Sequence, residues 1–168
     1  MSRCMVNLPH FRVCGGPAPL PDALAAALSQ VPAGPDCLVN ADSPADPDRI
    51  VARCRSFAEA ASRADGALIV TILHDAAPGL VHLATHAANA ALWAFTRSAA
   101  LDWAPKGIRV NAIGLGAAPA GPFEAIEQAG RAAAPVPAQA AMQADIVRTI
   151  LAIAAWPSMT GQIIRLGA

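Results

Sequence analysis

At 168 residues the chain has the length of one domain, enough to bury a core without disulfides or metal. Twelve basic residues balance twelve acidic ones, which excludes the positive surface that nucleic acid or an anionic membrane demands. A neutral chain that is 55% hydrophobic points to a protein partner, and its composition holds no tyrosine and a single lysine, Lys106.

In chain order, Phe11 to Cys14 is a short apolar run ended by Gly15-Gly16, a predicted strand and turn. Pro21-Asp22 opens an Ala/Leu helix that runs to Ser29. Cys37 to Asn40 is a second strand. Asp48 to Arg63 sets Ile50, Val51, Cys54, Phe57 and Ala61 at helical spacing, an amphipathic helix. Ala67 to Leu73 is continuously apolar and rich in β-branched residues, as expected of a central parallel strand buried on both faces. A long helix follows from about Pro78 to Trp103, stopped by Pro105 and Gly107. Ile108 to Ile113 is a strand, Pro122 to Ala132 a short helix, Gln139 to Trp156 a longer helix and Ile163 to Leu166 a last strand. Strand and helix alternate throughout, which predicts a single α/β domain with a doubly wound, Rossmann-like parallel sheet.

The four cysteines, Cys4, Cys14, Cys37 and Cys54, show no CxxC spacing, no paired histidine and no secretory leader ahead of them. They read as small buried hydrophobes in a reducing cytoplasm, and no metal site is expected. Leu80 to Phe95 is interrupted by His82, Thr85, His86 and Asn89 and falls short of the ~18 apolar residues of a membrane span.

The run from Phe95 through Arg97-Ser98, Leu101-Asp102-Trp103 and Pro105-Lys106-Gly107 to Arg109-Val110-Asn111-Ala112-Ile113, with Thr160-Gly161-Gln162 near the end, resembles the short-chain dehydrogenase/reductase family. The likeness covers the C-terminal half of that family, over roughly residues 66 to 168. The family places a Tyr and a Lys four residues apart on the long helix, the lysine lowering the tyrosine pKa for proton transfer. Those positions fall here on Thr85 and Asn89, a hydroxyl of high pKa and an uncharged amide. The carbonyl-polarising serine falls near Ile72 or Leu73, and the 45–66 segment offers no asparagine to support it. The resemblance thus implies the fold without its catalytic residues.

The family's glycine turn matches Cys14-Gly15-Gly16-Pro17-Ala18-Pro19-Leu20-Pro21, in which Pro19 and Pro21 replace two glycines and Asp22 adds a negative charge where phosphate would sit. Proline lacks the N–H that a pyrophosphate needs and blocks its close approach. No cofactor is therefore expected. The nicotinamide-side loop becomes Leu115 to Ala120. Cys37 to Asp42 resembles the family's fourth strand, which implies that the strand and helix units between it and the glycine turn are missing. Alternatively it is the second strand, with Asp42 in the ribose-binding role.

His82 and His86, near the vacated tyrosine position, and His74-Asp75, after the central strand, are read as packing and loop residues rather than acid/base groups. Gly114-Leu115-Gly116 is a lone GxG. Trp93 is expected on an exposed face of the long helix as an interface anchor, with Trp103 packed on the sheet. Since family members pair through the two helices matched here, the chain is expected to be a structural or regulatory subunit in a homo-oligomer or a hetero-oligomer with a full-length relative. Missing strands leave sheet edges that must be covered. An oxidoreductase completed by a partner and a small-molecule binding module are the alternative readings.

Overall fold

The computed structural model describes residues 4–7, 11–14, 20–29, 35–41, 46–61, 66–74, 83–115 and 139–166. The elements are β1 (Cys4–Asn7), β2 (Phe11–Cys14), α1 (Leu20–Leu28), β3 (Asp36–Asn40), α2 (Pro47–Ala60), β4 (Ala67–His74), α3 (Leu83–Trp103), a 3-10 turn (Ala104–Lys106), β5 (Ile108–Leu115), α4 (Gln139–Ala155) and β6 (Ile163–Leu166). The predicted helix from Pro122 to Ala132 lies outside the described residues, as does most of the glycine turn.

Local chemistry sets the boundaries. Asp46 caps α2, its Oδ1 accepting the Arg49 N–H at 3.1 Å, and Pro47 opens the helix where no N–H is needed. The helix ends at Ala60, ahead of the predicted Arg63, where Ala61 turns extended and donates its N–H to the Phe57 carbonyl. At the end of α3, Gly107 takes φ +74°, a left-handed conformation that lets the chain reverse into β5. Its carbonyl accepts the Ala67 N–H at 3.1 Å, so the starts of β4 and β5 are tied together at the same turn.

The six strands form one sheet in the order β1-β2-β3-β4-β5-β6. Strands β2 to β6 are parallel, which matches the predicted Rossmann-like α/β class. β1, absent from the sequence-based expectation, pairs antiparallel with β2. Alternation along β4 sends Leu68, Val70 and Ile72 to one face and Ala67, Ile69 and Leu73 to the other, all buried. The first face is covered by α1 through Leu24 and Leu28 and by α4 through Ile146, Ile150 and Ile153. The second is covered by α2 through Ile50, Cys54 and Phe57 and by α3 through Leu92, Ala99 and Ala100. Each face thus buries an apolar layer worth roughly 1.5–3 kcal/mol per fully buried aliphatic side chain.

All four crossovers between the parallel strands step one place in the same direction across the sheet. With α1 and α4 on one face and α2 and α3 on the other, two crossovers are of one hand and two of the other, against the usual right-handed rule. In the usual doubly wound order, 3-2-1-4-5-6, the chain changes direction when it changes face, which preserves the hand. Only α1 is described between β2 and β3. It keeps its face while the direction no longer reverses; the strand order offers no such reason for α4.

The order also bears on the identity of β3. With β4, which leads into the long helix α3, matched to the strand before the family's long helix, β3 between β2 and β4 stands where the usual order sets the fourth strand. The alternative role for Asp42 loses its support, and Asp42 itself lies outside the described residues.

Candidate functional site

Ligands of open α/β sheets bind outside the C-terminal ends of the strands. The register aligns Cys14 of β2, Asn40 of β3, Thr71 of β4 and Ala112 of β5 in one cross-strand row near those ends. Asn40 is fully buried and engaged by α2. Its Nδ2 donates to Cys54 Sγ at 3.3 Å, and its Oδ1 accepts from Arg53 Nη1 at 3.0 Å. Burial pushes the Cys54 thiol up to about 11, against smaller lowering effects from Asn40, Arg53 and Thr71. These polar groups satisfy one another within the fold. Sequence reading did not anticipate this cluster, because Arg53 and Cys54 looked like ordinary positions of an amphipathic helix.

Of the positions that the resemblance matches to the family's catalytic residues, those described are buried. Ile72 and Leu73 are buried, and Asn89 of α3 is 3% exposed. Thr85 lies one helical turn before Asn89, but its side chain, like that of His86, lies outside the described residues. So do His82, Asp75, Gly116 and the His74 side chain, although the His74 backbone ends β4. Lys106 is exposed in the turn that precedes β5. It therefore stands at the N-terminal end of that eight-residue strand, roughly 25 Å from the opposite edge. The one lysine of the chain is at the wrong end of the sheet for chemistry at the strand C-termini.

Trp93 departs from the expected exposed position. It is half-buried on the flank of α3, with the Arg165 guanidinium of β6 5.2 Å from its ring centroid. Its Nε1–H is buried and has no hydrogen-bond partner among the described residues. Trp103 is half-buried against the α2/α3 face of the sheet, as predicted, and meets Phe95 edge-to-face at 5.9 Å. The outward face of α3 consists instead of Ala87, Ala90, Ala91, Ala94, Arg97, Ser98, Leu101 and Asp102, with Leu101 79% exposed. Beside it, a groove of about 370 Å³ runs between α2 and α3, bordered by Arg55, Glu59, Asp102 and Lys106 with Phe95 and Trp103 also lining it.

At the other face, the Arg-Val-Asn and Thr-Gly-Gln motifs meet. Arg109 Nη1 donates to the Ile153 and Trp156 carbonyls, each at 2.7 Å, and Nη2 to the Ala154 carbonyl at 3.1 Å. Asn111 is fully buried; its Nδ2 donates to the Met159 carbonyl at 3.0 Å and its Oδ1 accepts the Gln162 N–H at 3.1 Å. Thr160 Oγ1 accepts the Val110 N–H at 3.1 Å. Gly161 donates its N–H to the Val110 carbonyl at 2.7 Å with φ +71°, where a Cβ would stand 3.3 Å from Ala100 Cβ. The resemblance-bearing motifs of the C-terminal half are thus a structural latch that fixes β6 and α4 to β5.

Cys14, Cys37 and Cys54 are buried, as expected. Burial raises Cys37 to about 12, partly offset by Arg109 and reinforced by Asp36. A thiol near 9 when unfolded and at about 11 or about 12 when folded keeps its proton longer in the native state. Between those values the unfolded chain binds fewer protons, so stability is full below about pH 9 and falls as the pH rises toward 12. Urea denaturation at pH 8 and pH 10 should show this fall, and an aromatic disulfide reagent should leave Cys37 and Cys54 unmodified at pH 8 until the chain unfolds. Rapid modification of either thiol in the native protein would contradict their inert, buried state.

No group of His, Cys, Asp and Glu among the described residues could hold a metal ion. No helix among them is long and apolar enough to cross a membrane.

No curated protein matches the chain significantly. Among solved structures, it is 25% identical to Pseudomonas aeruginosa RhlG in its NADP active-site complex, with a TM-score of 0.52 over 86% of this chain and 69% of that one. A Leptospira borgpetersenii short-chain dehydrogenase with bound NAD+ shares 16% identity at TM-score 0.54, covering 84% and 67%. A 4-hydroxyisoleucine dehydrogenase complexed with NADH and succinate shares 20% at TM-score 0.53, covering 88% and 75%. At these identities the last two establish the fold alone. Residues 49–166, well over half of the chain, match the family described as enoyl-(acyl carrier protein) reductase, and this span runs from α2 through the Arg-Val-Asn strand to the Thr-Gly-Gln latch. The chain belongs to the short-chain dehydrogenase/reductase family.

Proposed function

We propose that this protein is a non-catalytic member of its family, a structural or regulatory subunit that pairs with itself or with an active full-length relative. The observation that carries the reading is the burial of Asn89 at the lysine position, in a chain without tyrosine whose only lysine lies at the far end of the sheet. No residue at the strand C-termini among those described supplies the proton-transfer pair.

The described residues do not fit a nicotinamide dinucleotide. Pro21 lies in the first turn of α1, where a pyrophosphate needs backbone N–H donors. The place beside β2, where the usual order sets the strand whose end carries the ribose-binding acid, is held by β1. Because β1 is antiparallel, it presents Cys4 next to Cys14 at that edge, not a strand C-terminus.

Assembly through α3 is favoured by its outward face. Small residues from Ala87 to Ala94 permit close approach of another helix, and exposed Leu101 supplies an apolar knob beside the neutral α2–α3 groove. Trp93 borders this face and serves as the rim anchor of the contact. Leu101→Arg should shift sedimentation toward monomer or release a co-purifying subunit. Trp93→Ala should do so more weakly, because Trp93 borders the face instead of standing at its centre, where an interface tryptophan is typically worth ~2 kcal/mol or more. Wild-type mass and partners in both variants, with helical content unchanged, would place the contact elsewhere.

An oxidoreductase subunit whose site is completed by a partner's residues is the second reading, favoured by family membership itself. Steady ketone reduction by the isolated chain would overturn the first reading, and reduction only in a reconstituted complex that depends on residues of this chain would favour the second.

A further inference from the structure

We draw no further inference here: the strongest candidate, the cavity of about 450 Å³ at the N-terminal ends of β4 and β5, carries nothing because its only charged wall residue, Arg109, is engaged by three carbonyls at the α4 C-terminus, and nothing in the structure shows what would occupy it.

Discussion

Replacing Arg109 with alanine should cost about 3 kcal/mol of stability, read as a fall in Tm of roughly 6–12 °C for a domain of this size. The guanidinium leaves β5 on the face covered by α4 and bonds the Ile153 and Ala154 carbonyls of that helix's last turn and the Trp156 carbonyl just beyond it, of which Ile153 and Trp156 also accept the backbone N–H groups of Trp156 and Met159. Its positive charge also meets the negative end of the helix dipole. Bonds from a charged donor are individually worth about 1.5–3 kcal/mol, but three on one half-buried side chain do not add, so the loss stays near that of one strong bond. Arg109→Lys should recover at most about half of the loss, because an ammonium cannot span three acceptors as the planar fork does. Thermal denaturation of the two variants checks this. Equal stability of wild type and Arg109→Ala would mean that the α4 terminus finds other donors.

Asn89→Lys, alone or with Thr85→Tyr, should destabilise the protein by several kcal/mol instead of restoring a reductase. Asn89 is 3% exposed, and an ammonium buried there carries a large desolvation penalty. The folded state would hold the new lysine neutral, with its pKa depressed below the unfolded value of about 10.4. The unfolded chain then binds more protons than the native one, so the variant gains stability as the pH rises from 7 toward 10. That trend opposes the wild type, whose buried thiols lower stability above about pH 9. Urea midpoints at pH 7 and pH 9.5, with an assay of ketone reduction by NADPH, distinguish the outcomes. Wild-type stability at neutral pH, or steady turnover by the double variant, would show that the α3 position opens to a cofactor.

Local signals made most of the fold legible. The Ala67–Leu73 run reads as a central strand because β-branched residues buried on both faces need no alternation, and β4 is that strand. Ile50, Cys54 and Phe57 recur at helical spacing, and α2 buries those three. β1 was not legible: four residues without a clear period are held by pairing to β2, a tertiary cause. The capping role of Arg109 was hidden because its acceptors lie 44 to 47 residues later.

Trp93 is half-buried against Arg165 of β6 instead of exposed. Spacing shows that α3 has an apolar side, but the alanines that form its outward face are equally compatible with burial. At the site, the losses were legible and the replacements were not. A missing tyrosine is visible in the composition, whereas the mutual satisfaction of Asn40, Arg53 and Cys54 requires β3 and α2 to be brought together.

Calorimetric titration of the purified chain with NADH and NADPH tests the non-catalytic assignment most directly. Neither nucleotide should give saturable heat corresponding to a Kd below roughly 1 mM, about 4 kcal/mol of binding free energy. A micromolar Kd for either nucleotide would contradict the assignment, since it would require the strand-end cleft to hold a pyrophosphate despite Pro21 and the antiparallel β1.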